Sequence, residues 1–235
     1  MKAITALSRL SSRAIDLLFP PRCLNCGAFG SYICDACRQA MPRALPPRCQ
    51  ICWMPERQTG SCPRCRLQKP AFEAARAAFI HTGAAREAVH ALKYQGLSAI
   101  VPLMAELMAD FLENHPLEAD LLVAVPLHRR RQRQRGYNQA ALLARELSRR
   151  LDMTTAPGAV RRLRSAPPQA RLSDHDSRLA NVAGAFAADP AQVQGMRILL
   201  IDDVMTSGAT LNACASALRE AGAASVSALT FSRED

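Results

Sequence analysis

The sequence is poor in aromatic residues and contains no long apolar run. Phe, Trp and Tyr together make up 5% of the 235 residues, so few rings are available to stack on nucleic-acid bases. Any contact with DNA would therefore depend mainly on backbone electrostatics. The longest apolar runs, such as residues 121–126 and 198–201, are far shorter than the roughly 20 residues of a bilayer span. We expect no transmembrane segment.

A secretion signal is also missing from the first residues of the sequence. Residues 1–19 have neither a continuous apolar core nor a small-residue cleavage site, since Lys2, Arg9, Arg13 and Asp16 interrupt them. We interpret them as a helical lead-in and expect the protein to remain in the cytoplasm. In that reducing compartment, closely spaced cysteine pairs indicate metal binding rather than disulfides.

The composition is otherwise that of a folded protein, but its charge is unevenly distributed. Hydrophobic residues make up 49% and charged residues 21%, close to the average for globular domains. The net charge of +10 is concentrated in two zones. Residues 1–70 contain 11 Lys and Arg against 3 Asp and Glu, and residues 121–150 contain 8 against 1. Such zones favour phosphate-rich partners, although a solvated arginine-rich face has the same composition.

Eight of the nine cysteines form four Cys-x-x-Cys pairs in a region with little apolar sequence. Each pair directs two sulfurs toward one point, and four thiolates complete a tetrahedral zinc site with no open position. The sequence therefore predicts two structural zinc sites, each contributing on the order of 10 kcal/mol to a region without a large core. Neighbouring pairs are expected to share an ion, with ligands Cys23, Cys26, Cys34 and Cys37 in one site and Cys49, Cys52, Cys62 and Cys65 in the other. A crossed pairing, disulfides and a redox dithiol are the alternatives.

After residue 70 the sequence alternates between short apolar strands and helical periodicity. Predicted strands cover residues 77–81, 121–126, 159–163, 184–187, 197–203 and 225–231. Helical patterns lie at residues 84–92, after Pro102, at 138–151 with Asn138 as N-cap, and at 209–221 with Gly222 as a stop. This alternation predicts an α/β fold with a mainly parallel sheet flanked by helices. We expect a small zinc-binding domain over residues 20–70 and the α/β domain over residues 71–235.

Residues 197–210 carry the most specific chemistry. A buried strand ends in Asp202 and Asp203, and a turn then opens a helix. At the carboxyl end of a parallel strand such a turn faces a ligand crevice, and the amides of residues 205–209 with the helix dipole form an anion site. The turn adds three hydroxyl donors and a glycine that allows close approach to the backbone, namely Thr206, Ser207, Thr210 and Gly208. The two carboxylates suit sugar hydroxyls or a divalent cation; the simpler alternative is a capped helix N-terminus beside two solvated acids.

The order of these features resembles the phosphoribosyl-pyrophosphate (PRPP) loop of type I phosphoribosyltransferases. The shared pattern is an apolar strand, two acidic residues, two further positions and a turn rich in Thr, Ser and Gly. The resemblance implies that Asp202 and Asp203 contact the ribose and act in catalysis. It also implies Mg²⁺ bound with PRPP, and a row of substrate-binding positions made of Val204, Met205, Thr206, Ser207, Gly208, Ala209 and Thr210.

Three other segments match the surroundings of such a site by their place in the chain. The strand at 121–126 runs into a loop where this family binds pyrophosphate, often at a strained or cis peptide. Its candidate contacts are Pro126, Leu127, Arg135 and Asn138; the surrounding arginines can neutralise pyrophosphate or bind a nucleic-acid backbone. The polar stretch 164–181 corresponds to a lid that closes over the substrate, with candidate contacts Gln169, Arg178 and Asn181. Lys93 and Tyr94 are further candidates, Lys93 being either a phosphate contact or a surface lysine.

Nearly the whole chain resembles the ComF/GntX family, which is named for competence and DNA uptake and joins a double zinc ribbon to a phosphoribosyltransferase domain. The motifs are LFPPRC at 18–23, the four cysteine pairs, HALKYQG at 90–96, VPLHRR at 125–130, RGYNQ at 135–139, the stretch from Gln169 to Asn181 and DDVMTSGAT at 202–210. The resemblance implies transfer of phosphoribosyl from Mg²⁺-PRPP to an unidentified acceptor, linked to DNA uptake. The alternative is a non-catalytic module that binds single-stranded DNA beside competence proteins and keeps PRPP only as a regulator.

Overall fold

The computed structural model describes residues 20–163 and 184–235. Within these ranges the expected alternation of strands and helices is confirmed. The strands β1 to β7 are Ala74–Ile80, Leu121–Ala124, Thr154–Thr155, Val160–Arg162, Phe186–Ala188, Arg197–Met205 and Ser225–Arg233. The helices α1 to α8 are Asp35–Gln39, Pro63–Leu67, Gly83–Tyr94, Val101–Asn114, Arg129–Arg135, Gln139–Leu151, Pro190–Val193 and Ala209–Glu220, with a 3₁₀ turn at Ser98–Ile100.

Five strands form a parallel sheet in the order β1-β7-β6-β2-β3. Strands β4 and β5 form a separate two-stranded antiparallel sheet. The two longest strands, β6 and β7, occupy interior positions of the parallel sheet. Ala124 at the end of β2 lies opposite Ile201 of β6. The segments that leave β2 and β6 therefore emerge side by side at one edge of the sheet.

Both faces of the sheet are covered, as the apolar alternation of β6 requires. Leu199 and Ile201 lie in one buried cluster with residues of α3, α4 and α6. Ile198 and Leu200 lie in the other with residues of α8. Successive side chains of a strand point to opposite faces, and each buried Leu or Ile contributes about 1.5–3 kcal/mol. The run from Ile198 to Ile201 is apolar at every position because both faces of the strand are buried there.

The two cysteine-rich segments belong to different core clusters. Cys23 and Cys37 pack in the cluster that contains α4, where Arg38 of α1 also forms ion pairs with Glu106 and Asp110. All four cysteines of the second segment, together with Phe72, lie in the cluster that contains α8. The first segment thus packs on the α4 side of the sheet, whereas the second packs its cysteines on the α8 side and places its Trp53 ring 6.1 Å from that of Phe111 in α4.

Helix boundaries confirm the sequence prediction where capping residues set them. Asn138 is the N-cap of α6, and its side-chain oxygen accepts a hydrogen bond from the Ala140 N–H at 3.0 Å. Helix α8 ends at Glu220, two residues before Gly222. Among the described residues, none of the helices combines the length and apolar character needed to cross a bilayer.

Two local predictions were wrong. The arginine-rich segment after β2, predicted as a loop, forms helix α5, which Gly136 ends with a φ of 85°. Strand β6 extends through Val204 and Met205, which the sequence had placed in the turn, because pairing of Met205 with Arg233 of β7 continues the ladder.

The described residues have their cis peptide bond at Pro46–Pro47 rather than in the segment after β2. The helical lead-in at residues 1–19 and the lid contacts Gln169, Arg178 and Asn181 lie outside the described residues.

Candidate functional site

A cleft of about 290 Å³ lies where β2 and β6 end. This position follows from the topology, because adjacent parallel strands deliver their following segments to the same crevice. Eleven residues chosen from the sequence line it: Lys93, Tyr94, Pro126, Leu127, Arg135, Asn138, Asp202, Asp203, Val204, Thr206 and Thr210. Positions separated by more than a hundred residues in the chain are therefore brought together.

The acid pair lies at the base of this cleft. Asp203 is 2% exposed, and one of its carboxylate oxygens, Oδ1, is 2.6 Å from Nζ of Lys93. Its other oxygen, Oδ2, is buried and has no hydrogen-bond partner among the residues that the structure describes. Because a buried carboxylate oxygen without a partner is costly, this atom is suited to receive a ligand. Lys93 is thus a partner of the acid pair and does not project into solvent as a surface lysine would.

Asp202 is held in a different way. Its Oδ1 accepts a hydrogen bond from the Asp203 N–H at 2.8 Å. Burial and the adjacent Asp203 charge raise the pKa of Asp202 to about 7, while Lys93 and the backbone hydrogen bond act in the opposite direction. Near neutral pH this carboxyl can therefore gain or lose a proton, and a cationic or hydroxyl-bearing ligand would favour its charged form.

The turn after β6 is shaped by a glycine. Gly208 is the N-cap of α8 with a φ of 77°, and no side chain caps the helix. A Cβ at this position would lie 3.0 Å from Cε of Met205. The first N–H groups of an α-helix have no intrahelical acceptor, and Thr206 and Thr210 line the cleft on either side of the turn. The turn therefore offers backbone and hydroxyl donors to an anion.

Four of the predicted turn residues do not line this cleft. Met205 is 2% exposed and Ala209 is 8% exposed. Ser207 and Gly208 border a separate cavity of about 230 Å³, whose other walls include Arg64 and Asn212. Met205 is buried in the cluster that contains α8, whereas Val204 packs against the cluster that contains α4, so the motif alone did not reveal which of its side chains meet the cleft.

The wall opposite the turn is made by α5 and the start of α6. Arg131 and Arg135 both line the cleft, and Arg135 donates a hydrogen bond to Oε1 of Gln139 at 2.6 Å. Asn138 donates to the Val125 carbonyl at 2.9 Å while it caps α6, so it shapes the wall. The Arg135 guanidinium lies 5.6 Å from the centre of the exposed Tyr94 ring, within the usual distance of a cation–π contact.

Sequence reasoning missed two arginines of this cleft, Arg131 and Arg162. Arg131 could have been found, since it is four residues before Arg135 and would share a helix face with it; treating the segment as a loop hid that spacing. Arg162 comes from β4, outside the parallel sheet. Its approach depends on tertiary folding, and no local motif indicates it.

A larger cavity of about 610 Å³ adjoins the cleft and shares Pro126, Leu127, Asn138 and Arg162 with it. Its inner surface is largely apolar, and none of the described residues in its lining is acidic. The charged residues around it are arginines of α5, α6 and β4, namely Arg129, Arg145, Arg161 and Arg162. The cavity therefore offers a positively charged space beside the arginine-rich wall.

The cysteines form two separate groups, Cys23, Cys26, Cys34 and Cys37 in one and Cys49, Cys52, Cys62 and Cys65 in the other, with the four sulfurs of each group within 4.8 Å of one another. The sequence-local pairing is thus the observed one, and the crossed alternative is not. Sulfurs about 2.3 Å from a tetrahedral zinc ion lie about 3.8 Å apart, and the Cys26–Cys34 and Cys52–Cys62 sulfurs are each separated by 3.6 Å. The two groups fit structural zinc sites.

Backbone donors prepare one sulfur of each group to bind metal. Burial favours the neutral thiol of Cys23, but N–H groups of Cys34, Cys26 and Asn25 outweigh it and lower the pKa of Cys23 to about 6. In the second group, N–H donors that include Cys62 at 3.3 Å lower the pKa of Cys49 to about 7 against the effect of burial. The thiolate is the form that ligates zinc.

Two family models match the chain, one over the cysteine-rich segment and one over the segment that forms the cleft. A family model described as a double zinc ribbon domain matches residues 14–66. A second model, described as a phosphoribosyl transferase domain, matches residues 136–234. The first match covers both cysteine groups, and the second covers the acid pair and the turn.

Curated relatives match the chain over most of its length. The chain is 32% identical to the DNA utilization protein YhgH of Salmonella typhi over 83% of this chain and 87% of that protein. It is 29% identical to competence protein F of Haemophilus influenzae, with 86% and 92% covered, and 28% identical to competence protein ComFC of Bacillus subtilis, with 86% and 84% covered. With its paired cysteine sites and its parallel-sheet cleft, the chain belongs to the ComF/GntX family, which joins a double zinc ribbon to a phosphoribosyltransferase domain.

Proposed function

We propose that the protein binds PRPP with Mg²⁺ and transfers the phosphoribosyl group to an acceptor. The observation that supports this most directly is the order of chemical groups around one cleft. The Thr206–Thr210 turn can take the 5′-phosphate, Asp202 and Asp203 can take the ribose hydroxyls, and Arg131 with Arg135 can take the pyrophosphate. PRPP carries the same three groups in the same order.

In the proposed reaction the bond between C1 of the ribose and the pyrophosphate oxygen breaks, and its electron pair leaves with pyrophosphate. A nucleophilic atom of the acceptor forms the new bond at C1. Arg131 and Arg135 would stabilise the charge that develops on the leaving group, and the acid pair would hold the ribose in place. Charged side chains fixed before the reaction need no reorganisation when the bond breaks, which lowers the barrier.

The acid pair also fits a divalent cation. Carboxylate oxygens are the ligands that Mg²⁺ prefers, and Oδ2 of Asp203 has no partner among the described residues. Asp202 and Asp203 would hold the ion, which would supply neutralisation of the phosphate charges. Lys93, at 2.6 Å from Oδ1 of Asp203, orients that carboxylate.

The acceptor would approach from the adjoining 610 Å³ cavity, because this cavity shares Pro126 and Leu127 with the cleft. The relatives named competence protein and DNA utilization protein support a role of the reaction in the uptake or use of DNA. An acceptor derived from nucleic acid would agree with both the position and the charge of that cavity.

Calorimetric titration with Mg²⁺-PRPP tests the proposal. We expect the double variant Asp202→Asn, Asp203→Asn to bind PRPP at least about 100-fold more weakly, since charge-assisted hydrogen bonds contribute roughly 1.5–3 kcal/mol each. Asp152→Asn is the matched control, because Asp152 lies outside the cleft with a φ of 51°, a conformation that Asn adopts readily. Equal affinity in the double variant and the wild type contradicts the site. Pyrophosphate release across a panel of bases and single-stranded DNA then tests turnover.

Helix α5 supports a second candidate function, the binding of single-stranded DNA. It carries five arginines in seven residues, and none of its residues is buried. We expect DNA affinity to fall steeply with salt concentration, and the variant Arg130→Ala, Arg133→Ala to reduce the salt-dependence slope by about one unit or more. Affinity that does not change with salt contradicts this function without affecting the PRPP site.

A further inference from the structure

A residue of the second zinc ribbon contacts the phosphate turn. Arg64 lies in α2 between the ligands Cys62 and Cys65, and its Nη2 donates a hydrogen bond to the Ser207 carbonyl at 3.0 Å. The contact joins residues 143 positions apart in the chain. Because Arg64 is one of the two residues inside a Cys-x-x-Cys turn, its backbone position depends on how those two cysteines are held.

The direction of this hydrogen bond matters for the turn. In a trans peptide the carbonyl and the following N–H point in opposite directions. Arg64 therefore orients the Ser207–Gly208 peptide so that the Gly208 N–H points away from the ribbon. Gly208 leaves α8 without a side-chain cap from the described residues, and the contact from the Ala209 N–H to Ser207 Oγ is long at 3.4 Å. The positive guanidinium supplies an external restraint and polarises the amide as an anion donor.

The ribbon itself is firmly attached near this contact. Arg233 of β7 donates to the Cys52 carbonyl at 2.6 Å. Arg48 forms two hydrogen bonds with the Asp235 carboxylate, at 2.8 and 2.7 Å. On the other side, the side chain of Asn212 in α8 accepts the Ala71 N–H at 2.7 Å. These hydrogen bonds join the second ribbon to the end of β7 and to α8, the two elements next to the turn.

We propose that the second zinc ribbon, through Arg64, holds the phosphate turn in its binding conformation, so that zinc at Cys49, Cys52, Cys62 and Cys65 sets the affinity for the 5′-phosphate of the substrate. This inference rests on the proposed PRPP function. Arg64 is a positioning residue, since it acts through the Ser207–Gly208 peptide. The consequence is that the zinc ribbon serves the substrate site as well as its own fold.

Three variants and three ligands test the inference by calorimetry in the zinc-loaded full chain. The variants are Arg64→Met, Arg64→Lys and the control Arg66→Met, which lies on the same short helix and contacts Ser61 within the ribbon. The ligands are Mg²⁺-PRPP, ribose 5-phosphate and pyrophosphate. Arg64→Met should weaken the binding of Mg²⁺-PRPP and of ribose 5-phosphate about tenfold, as expected for loss of a charge-assisted hydrogen bond. It should change the affinity for pyrophosphate by less than about twofold. Arg64→Lys should restore most of the loss, and Arg66→Met should bind like the wild type.

Zinc content, measured on every variant, separates positioning from folding. The inference requires that Arg64→Met keeps two zinc ions per chain and loses affinity only for ligands with a 5′-phosphate. Wild-type affinity for all ligands overturns it, as does an equal loss for pyrophosphate or a loss of zinc. If the wild type itself fails to bind PRPP, the proposed function fails and this inference fails with it, an outcome visible before any variant is compared.

Discussion

The two zinc ribbons use the same ligands but are joined to the protein in different ways. In the first, Cys26 is exposed and Cys34 is half-buried, and the ribbon is tied to α4 by Arg38, whose ion pairs with Glu106 and Asp110 are partly exposed. In the second, all four cysteines are buried. The second is attached through Arg48, which is 5% exposed, and Arg233, which is fully buried.

This difference shows that the surroundings, and not the metal site, decide what a zinc ribbon does. Exposed ion pairs contribute about 0–1 kcal/mol, so the Arg38 pairs add little to the attachment of the first ribbon, which depends mainly on buried residues such as Cys23 and Ile33. Buried charged groups are costly to separate from their partners, so the second ribbon is part of the core that supports the cleft. Removing the second should affect substrate binding, and removing the first should not.

The largest effect is expected from loss of a cysteine ligand. Cys65→Ser should lower the free energy of unfolding by about 5 kcal/mol or more, because structural zinc sites contribute on the order of 10 kcal/mol, and should abolish PRPP binding. Cys26→Ser should release one zinc ion per chain and leave PRPP affinity within about twofold. Denaturant unfolding, zinc content and calorimetry measure these effects. Timed chelation of the wild type adds a second comparison, in which the zinc bound by the exposed Cys26 should leave first; simultaneous release contradicts the difference between the ribbons.

The pH response of the cleft should come from Asp202. The raised pKa of Asp202, about 7, means that the folded state holds a proton that the unfolded state releases above about pH 4. The contribution of Asp202 to stability is therefore greatest below that pH and falls until about pH 7. Asp202→Asn removes this penalty, so its free energy of unfolding should exceed that of the wild type by roughly 2–4 kcal/mol at pH 8 and by less at pH 5.5. The effect of Asp202→Asn on the free energy of unfolding should be the same when it is measured in a Cys26→Ser background. An effect of equal size at pH 5.5 and pH 8 contradicts the prediction.

The arginine attachments provide a smaller and more direct comparison. Arg48→Met leaves the Asp235 carboxylate without its bidentate partner and should cost about 2–3 kcal/mol. Arg38→Met removes ion pairs that are about one-third exposed and should cost less than about 1 kcal/mol. Urea unfolding of the two variants measures both values. Equal costs would show that the two ribbons are attached with similar strength.

The smallest effect is expected at two glycines with similar backbone conformations. Gly27 in the first ribbon has a φ of 78° and Gly208 has a φ of 77°. An alanine in this conformation costs roughly 1 kcal/mol, so both Gly→Ala variants should lose about this much stability. Only Gly208→Ala should also weaken PRPP binding, since its Cβ approaches Met205 Cε and lies in the phosphate turn. Weaker PRPP binding by Gly27→Ala would contradict the separation of the two regions.

Local patterns predicted much of the fold and many of the candidate residues. The strand alternation, the Asn138 cap and the cysteine spacing depend on neighbouring residues, so they could be recognised without a structure. The acid pair and turn could be found for the same reason, because a single short segment carries them. The position of Arg162 at the cleft and the contact of Arg64 with Ser207 could not be predicted from local patterns. Each depends on segments that are far apart in the chain.

The sequence by itself determined that the chain has two four-cysteine zinc sites, a parallel α/β sheet and an acid pair followed by a helix-opening turn, because spacing and hydrophobic periodicity are local properties. Only the tertiary structure decided which ribbon supports the turn, that Lys93 neutralises Asp203, and that Met205 is turned away from the cleft. These features depend on the packing of segments that are far apart in the chain, and burial there changes the energy of every charge.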